Sequence, residues 1–577
     1  MNWFGLATSA LISTAAIADD LSVERVAPAE AIAVMSITHL DRMLERMESS
    51  GMLDAMGMDT LQEELDAQMD QLPEPWADGL ANMMDDRSPI EMLGSMSMGG
   101  AVWMGKADEA LPDLVMAGWV DLAEQAEAMG AMFEQQWEEV RSRSDVSTEQ
   151  VMGRLVDVVT LTEASEEPGS SLWHLREDRW VMLASGREGM ERMLDVLDGN
   201  ATEESLGESE AWISIRDMLG GDGSMRIAFF VEGLARAAGN SRNGMMVSMV
   251  RPTLDVAIGK IEAMAAQMGA GEGEELLTMS GAIWMPDGPS GLTKLLSGPA
   301  EVSGATKWAG QSCVSLTSFY MDFSGVIPWL RDVARSNPML MGMGQMLDQA
   351  EPQMQKLLNP LGDQVVSIAS VTHPITADSL NSLTTVSCKN PQALSDAMAE
   401  TAPGASMAPR EFQGQQIWSV NPSEALPMPF PMGESEMMSM AIAGQSVLMG
   451  DNAAVEQAIR SLGTKQASVN PWLERVFSWI GSEEVTAWGG MDLREMMTTV
   501  AEIQAKQMKQ FESKLAQVDP ELWEEIKGEL ESETNSEQLE RLASLSEKMG
   551  PAAWKVVSTD TGFEMRGVVM SAQQDGQ

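Results

Sequence analysis

"VMSITHLDRMLERM" (34–47) and "TSFYMDFSGVIPWL" (317–330) carry one pattern at two distant points of the chain. Each opens with an apolar run of strand character, passes a small polar residue and continues with apolar residues at helical spacing. Asp41 and Ser324 hold corresponding places in the two stretches. A helix N-cap belongs there, its side-chain oxygen accepting hydrogen bonds from the first free backbone N–H groups.

Five further pairs follow in the same order. "LVMAGWVDLAEQAEAMGAMFEQQWEEV" (114–140) corresponds to "LTTVSCKNPQALSDAMAE" (383–400), where Asn390-Pro391 puts proline at a first helical position. "VMGRLVDV" (151–158) and "FQGQQIWS" (412–419) bring Gly153 onto Gly414, each at the turn of a hairpin. "WVMLASGREGMERML" (180–194) matches "SVLMGDNAAVEQAI" (446–459), with Ser185 against Asp451 as further caps. "MRIAFFVEGL" (225–234) matches "VTAWGGMDLR" (485–494), with Glu232 and Asp492 placing negative charge at a helix start. "LTMSGAIWM" (277–285) matches "EMRGVVM" (564–570).

Ordered self-similarity of this kind reads as internal duplication. The expected fold class is α+β: two homologous copies of strand–helix units, with mixed or mainly antiparallel sheets covered by amphipathic helices. The copies span 19–300 and 301–577, the second with a charged helical insertion near 494–549.

Composition narrows the class. The 577 residues exceed one ordinary core, and 44% hydrophobic content is enough to fill more than one. Against 37 basic residues stand 87 acidic ones, a net charge of −50. Such a surface repels nucleic acid and anionic lipid. The N-terminus "MNWFGLATSALISTAAIADD" is apolar up to Ala16-Ile17-Ala18, so residues 1–18 read as a signal peptide, although no Lys or Arg precedes the apolar run. The mature chain is expected to be exported, periplasmic or extracellular, with no integral membrane segment.

The chemistry-bearing residues are few. Export permits one disulfide, Cys313–Cys388, with two buried free thiols as the alternative. His39, His174 and His373 fall in no metal-binding spacing, and no nucleophile elbow or P-loop is present. The acidic, glycine-rich "MGAGEGEE" (268–275) reads as a turn, and "DMLGGDGSMR" (217–226) lacks the ligand spacing of an EF-hand. Trp119, Trp180, Trp284, Trp418 and Trp488 sit in apolar strand patterns and read as core. In "NPMLMGMGQML" (337–347), Met339, Met343 and Met346 share one helical face, matching Met52, Met56 and Met58 in the first half. The expectation is adaptable core packing in place of a copper site.

The N-terminal segment, the strand "AIAVMSI" (31–37), "RWVMLAS" (179–185), the hairpin at Gly414 and "MSGAIWMPDGPSG" (279–291) together resemble an uncharacterised family of large exported bacterial proteins, a domain of unknown function. That resemblance implies no catalytic residues. The expected function is therefore an acidic, exported, non-enzymatic binding or structural protein without cofactors, its ligand and oligomeric state open. The alternatives are an exported hydrolase with a pocket between the copies, or a weak Ca or Cu handler.

Overall fold

A computed structural model describes residues 21–55, 94, 96–105, 114–123, 126–160, 171–200, 205–221, 223–239, 244–302, 304–337, 340–376, 379–401, 409–420, 438–462, 470–518 and 543–572. The signal-peptide reading, Met56, Met58, Met339 and residues 519–542 of the insertion near 494–549 lie outside these residues.

The expected fold class is corrected. The strands among the described residues form a 20-stranded sheet in place of a helix-covered sheet in each of two copies, and their defined pairings are antiparallel. Hydrophobic periodicity reports which residues of a strand share a face; it carries no information on which backbone groups a strand pairs with. The chain clusters into two compact units, each described by itself: Met1–Arg251 with Ile261–Pro286 and Thr561–Glu564, and Pro252–Lys260 with Asp287–Asp560 and Met565–Gln577.

The first unit contains β1 (Ala33–Ile37), β2 (Ser97–Met104), β3 (Leu114–Asp121), β4 (Asp145–Val151), β5 (Arg154–Thr160), β6 (Ser171–Glu177), β7 (Trp180–Ala184), β8 (Met225–Phe230), β9 (Ala263–Ala270) and β10 (Glu275–Trp284). Pairing orders them 4-5-6-7-3-2-1-8-9-10. The helices that matter here are α1 (Val23–Val26), α2 (Leu40–Ser49), α3 (Ala126–Arg143), α4 (Arg187–Leu197), α5 (Glu210–Leu219) and α6 (Val231–Gly239).

Cross-strand register builds the inner face. Ala184, Ala117, Ala101, Val34, Ala228, Ala265 and Ala282 stand opposite one another from β7 to β10, all buried. Small side chains let helices approach the sheet closely, and large ones fill the space above. Trp212 and Ile215 of α5 and Met190, Met193 and Leu194 of α4 supply them, in one cluster with Trp103 and Trp119. Trp119 lies over Gly99, its partner on β2: a Cβ there would stand 2.2 Å from the indole ring.

The second unit contains β11 (Cys313–Tyr320), β12 (Leu361–Val371), β13 (Leu380–Cys388), β14 (Arg410–Phe412), β15 (Gln415–Val420), β16 (Met438–Ala443), β17 (Ser446–Gly450), β18 (Ala487–Asp492), β19 (Met549–Thr559) and, from Met565 on, β20 (Gly562–Ser571). Its order is 14-15-16-17-13-12-11-18-19-20, the order of the first unit. Its helices include α7 (Val326–Ser336), α8 (Met341–Leu358), α9 (Pro391–Thr401), α10 (Asn452–Ser461), α11 (Pro471–Ile480) and α12 (Leu493–Val518). Leu316, Ile368, Leu383, Val476 and Trp488 belong to its main core. The hairpins β4–β5 and β14–β15 turn alike, with φ positive at Met152 and Gly153 and again at Gln413 and Gly414. Positive φ at both turn residues matches the twist of the flanking strands, and glycine at the second place adopts it without a Cβ penalty.

Of the expected caps, Asn390 and Asp492 act at helix starts, and Asp322 does so in place of the expected Ser324. Asp322 accepts N–H bonds from Ser324 and Gly325, Asn390 from Ala393 and Asp492 from Glu495. Asp41 lies in the first turn of α2 behind His39, and Ser324 is the residue being capped. Ser185 and Asp451 work between strands instead. The Ser185 N–H donates to Met116 O, and its Oγ accepts from Met116 N at 2.8 Å. The Asp451 N–H donates to Ser382 O, and its Oδ2 accepts from Ser382 N at 2.6 Å. In each unit one side-chain oxygen thus takes the place of a ladder carbonyl beyond the end of a strand.

Two substitutions test this packing. Gly99→Val drives a side chain into the Trp119 ring and is expected to cost about 1–3 kcal/mol, read as a lower urea midpoint. Ser185→Ala leaves Met116 N without its acceptor and is expected to cost about 1 kcal/mol by the same measurement.

Candidate functional site

The outer face of the first-unit sheet follows from the same register. One residue along each strand from the alanine row lies a second row: Met116, Val102, Ala33, Phe229, Met264 and Ile283. Beside it run Gly118, Gly100, Met35, Ile227, Ala266 and Gly281, three of them without side chains. The next row, with Val120, Met98, Ile37 and Met225, is packed with Leu40 of α2 and Ala126, Met129 and Phe133 of α3.

The first two rows are in part open to solvent. Phe229 is 46% exposed, Met116 43%, Ile227 39% and Met264 38%, and Leu114 beyond the end of the first row is 50% exposed. Scattered surface apolar residues are ordinary, but here they are brought together by strand pairing on one recessed strip. Methionine, unbranched and polarizable, adapts to partners of different shape.

The chemistry-bearing residues do not converge. Cys313 and Cys388 are buried free thiols. Both pair with β12, Cys313 opposite Ser370 and Cys388 opposite Leu361. At ~3.4 Å per residue those ends of β12 lie about 30 Å apart, far beyond the ~7 Å between Cα atoms that a disulfide spans. Burial pushes the Cys313 thiol up to about 12 and raises that of Cys388, so neither supplies a thiolate at neutral pH. His39 uses its carbonyl, which accepts from Ser224 Oγ at 2.9 Å. His373 is exposed, with its ring 3.1 Å from Glu495.

His174 on β6 is buried and stacked on Trp137 of α3, ring centres 4.0 Å apart. Asp157 is its cross-strand partner and accepts from Trp137 Nε1 at 3.0 Å and Arg141 Nε at 3.1 Å. Burial pushes the His174 imidazole down to about 4, against the pull of Asp157 and with the help of Arg141 and Arg176. Burial opposes ionisation of Asp157, but the hydrogen bonds from Arg141 and Trp137 hold its carboxyl below the usual range. The cluster fastens α3 to the sheet, and its ring and charges are turned toward one another.

A cavity of about 460 Å³ in the second unit is lined by Tyr320, Asp322, Asn359, Asp363 and Lys389 among others. Burial, then the charges of Asp322 and Asp363, raise the Tyr320 hydroxyl above its ordinary value, so it stays a hydrogen-bond donor. Lys389 stands 3.7 Å from Asp363. The lining suits a polar molecule, and within it the Ser324 hydroxyl donates to Asp322 Oδ1 at 2.6 Å.

The stretch 268–275 is the end of β9 and its turn into β10, and 217–226 is the end of α5 and the entry to β8. Among the described residues no group of three His, Cys, Asp or Glu side chains converges to hold a metal, and no helix is long and apolar enough to cross a membrane. The five strand tryptophans singled out by the sequence are all buried. Met346 on α8 is 70% exposed, whereas Met52 in the first unit is buried.

The outer strip escaped the sequence reading because both parities of its strands are apolar. In β8, Ile227 and Phe229 alternate with Ala228 and Phe230, and in β9, Met264 and Ala266 alternate with Ala263 and Ala265. That composition signals a strand covered on both faces, yet the outer face is covered only in part.

No family model, curated protein or solved structure matches the chain.

The His174 cluster generates a pH prediction. The folded chain keeps the imidazole neutral down to about 4, while the unfolded chain protonates it near 6.5. Stability is therefore complete above pH 6.5, falls as pH drops from 6.5 toward 4, and loses nothing more through His174 below that. Urea midpoints between pH 8 and 4 are expected to follow this course. His174→Phe, which keeps a ring against Trp137, is expected to flatten it; an unchanged slope would assign the loss to other groups.

Proposed function

We propose that this is an exported, non-catalytic binding protein, and that the outer face of β3, β2, β1, β8, β9 and β10 is its contact surface. The observation that carries the proposal is the exposed apolar register on that face, with Phe229 opposite Met264 and Met116 further along the same cross-strand row, on strands whose other face is buried. Burial of such a strip against a partner releases water from apolar surface, at about 25 cal/mol per Å². The states of the titratable residues support binding over catalysis. Cys313 is held as a thiol, and His174 is neutral and packed beneath Trp137. The N-terminal apolar segment, read as a signal peptide, supports the location.

The test uses a fluorescein-labelled peptide with an uncharged Leu/Ile core and Gly–Ser flanks, followed by anisotropy. The expected result is saturable binding, weakened about tenfold or more by the pair Phe229→Ser and Met264→Ser, a loss of roughly 1.4 kcal/mol or more. An equal urea midpoint for the variant shows that folding is intact. Unchanged affinity in that folded variant would overturn the proposal.

A further inference from the structure

We infer that the occupant of this face is a cationic amphipathic helix supplied by a partner polypeptide; the inference rests on the contact surface proposed above. The second unit shows what this kind of strip accepts. There, Ser315 of β11 pairs with Ala369 of β12, as Ala33 of β1 pairs with Val102 of β2. Ala369 packs in one cluster with Val314, Val371 and Ile375, and with Met496 and Ile503 of α12. Lys506, further along α12, donates to the carbonyl of Ile375.

The long helix α12 (Leu493–Val518) follows β18 directly, whereas between β8 and β9 the chain forms two shorter helices, α6 (Val231–Gly239) and one over Gly244–Ala257. In the first unit the corresponding positions are the larger Met116 and Val102, with Leu114 beyond them, and Leu114 and Met116 are exposed.

Dimensions and charge specify the helix. Six strands at ~4.8 Å spacing make each row about 24 Å long, which equals about sixteen helical residues at ~1.5 Å rise. Gly118 and Gly100 lower the second row on β3 and β2, and Gly281 lowers it on β10, while Met35 and Ile227 stand between them.

Acids stand at the strand ends on the two sides of the strip, Glu30, Glu232 and Glu262 beside the first row and Glu272, Glu274 and Glu275 at the more distant β9–β10 turn. Arg236 is already paired with Glu30 and Glu232, and Arg46 donates to the Gly273 and Glu275 carbonyls. With a net charge of −50 on the chain, a second copy and an anionic bilayer are both repelled, and a basic helix is attracted.

The experiment uses the full chain with three labelled sixteen-residue peptides: a Leu-striped helix with Lys on its other face, the same helix with Glu, and the Lys helix broken by a central proline. Vesicles of anionic phospholipid form a fourth arm. The expected result is preference for the intact Lys helix by about tenfold over each other peptide, declining with added salt. Its binding is expected to be lost in Phe229→Ser with Met264→Ser. Equal binding of the Glu helix would overturn the charge assignment, and equal binding of the broken helix would overturn the helical one; either result leaves the apolar surface standing if the uncharged peptide still binds. Lys-helix binding that survives the double substitution would overturn the site. Preferential binding of the vesicles would overturn the polypeptide occupant in favour of a membrane.

Discussion

The register that sets Val34 between Ala101 and Ala228 is the constraint on which the first unit depends. Antiparallel pairing places opposite residues on the same face, so this one alignment carries a line of small side chains from β7 to β10. Everything bulky on the inner side follows from it. Helices α4 and α5 sit close because alanine leaves room, and Trp103, Trp119 and Trp212 fill the remaining space. The same alignment sends Met116, Phe229 and Met264 outward. Core and candidate contact surface are two faces of one hydrogen-bonded ladder.

A shared strand order lets the second unit be compared position by position. Ser185 and Asp451 differ in charge, yet each offers an oxygen to the backbone N–H of a neighbouring strand, Met116 or Ser382. The hairpins at Gly153 and Gly414 adopt the same turn. The units differ in what lies on the outer face: α12 brings Met496 and Ile503 to it in the second, while in the first Leu114 and Met116 remain exposed. That difference, more than any individual residue, gives the strip its interest.

Parts of this were legible in the sequence. The hairpin glycines, the caps at Asn390 and Asp492 and the buried strand tryptophans depend on a few neighbouring residues, and local pattern is enough to find them. Alignment of the two quoted stretches was less secure. It set Val34 against Thr317, whereas the ladder sets Thr38 against Tyr320, each donating its N–H to the residue just before the next strand, Ser224 or Thr486. Val34 therefore matches Leu316. A slip of one residue exchanges the faces of a strand, so a small error in the sequence comparison conceals which side is core.

The sequence by itself determined the alternation of strands and helices, the turn chemistry, the acidic surface and the scarcity of reactive groups, because each depends on residue type and short spacing. Tertiary structure alone decided that the described strands join one antiparallel sheet, that Cys313 and Cys388 lie at opposite ends of β12, and that the Met- and Phe-bearing face of the first unit is left partly open. Those outcomes depend on pairings between residues far apart in the chain. A strand apolar on both faces does not state which face its neighbours will cover.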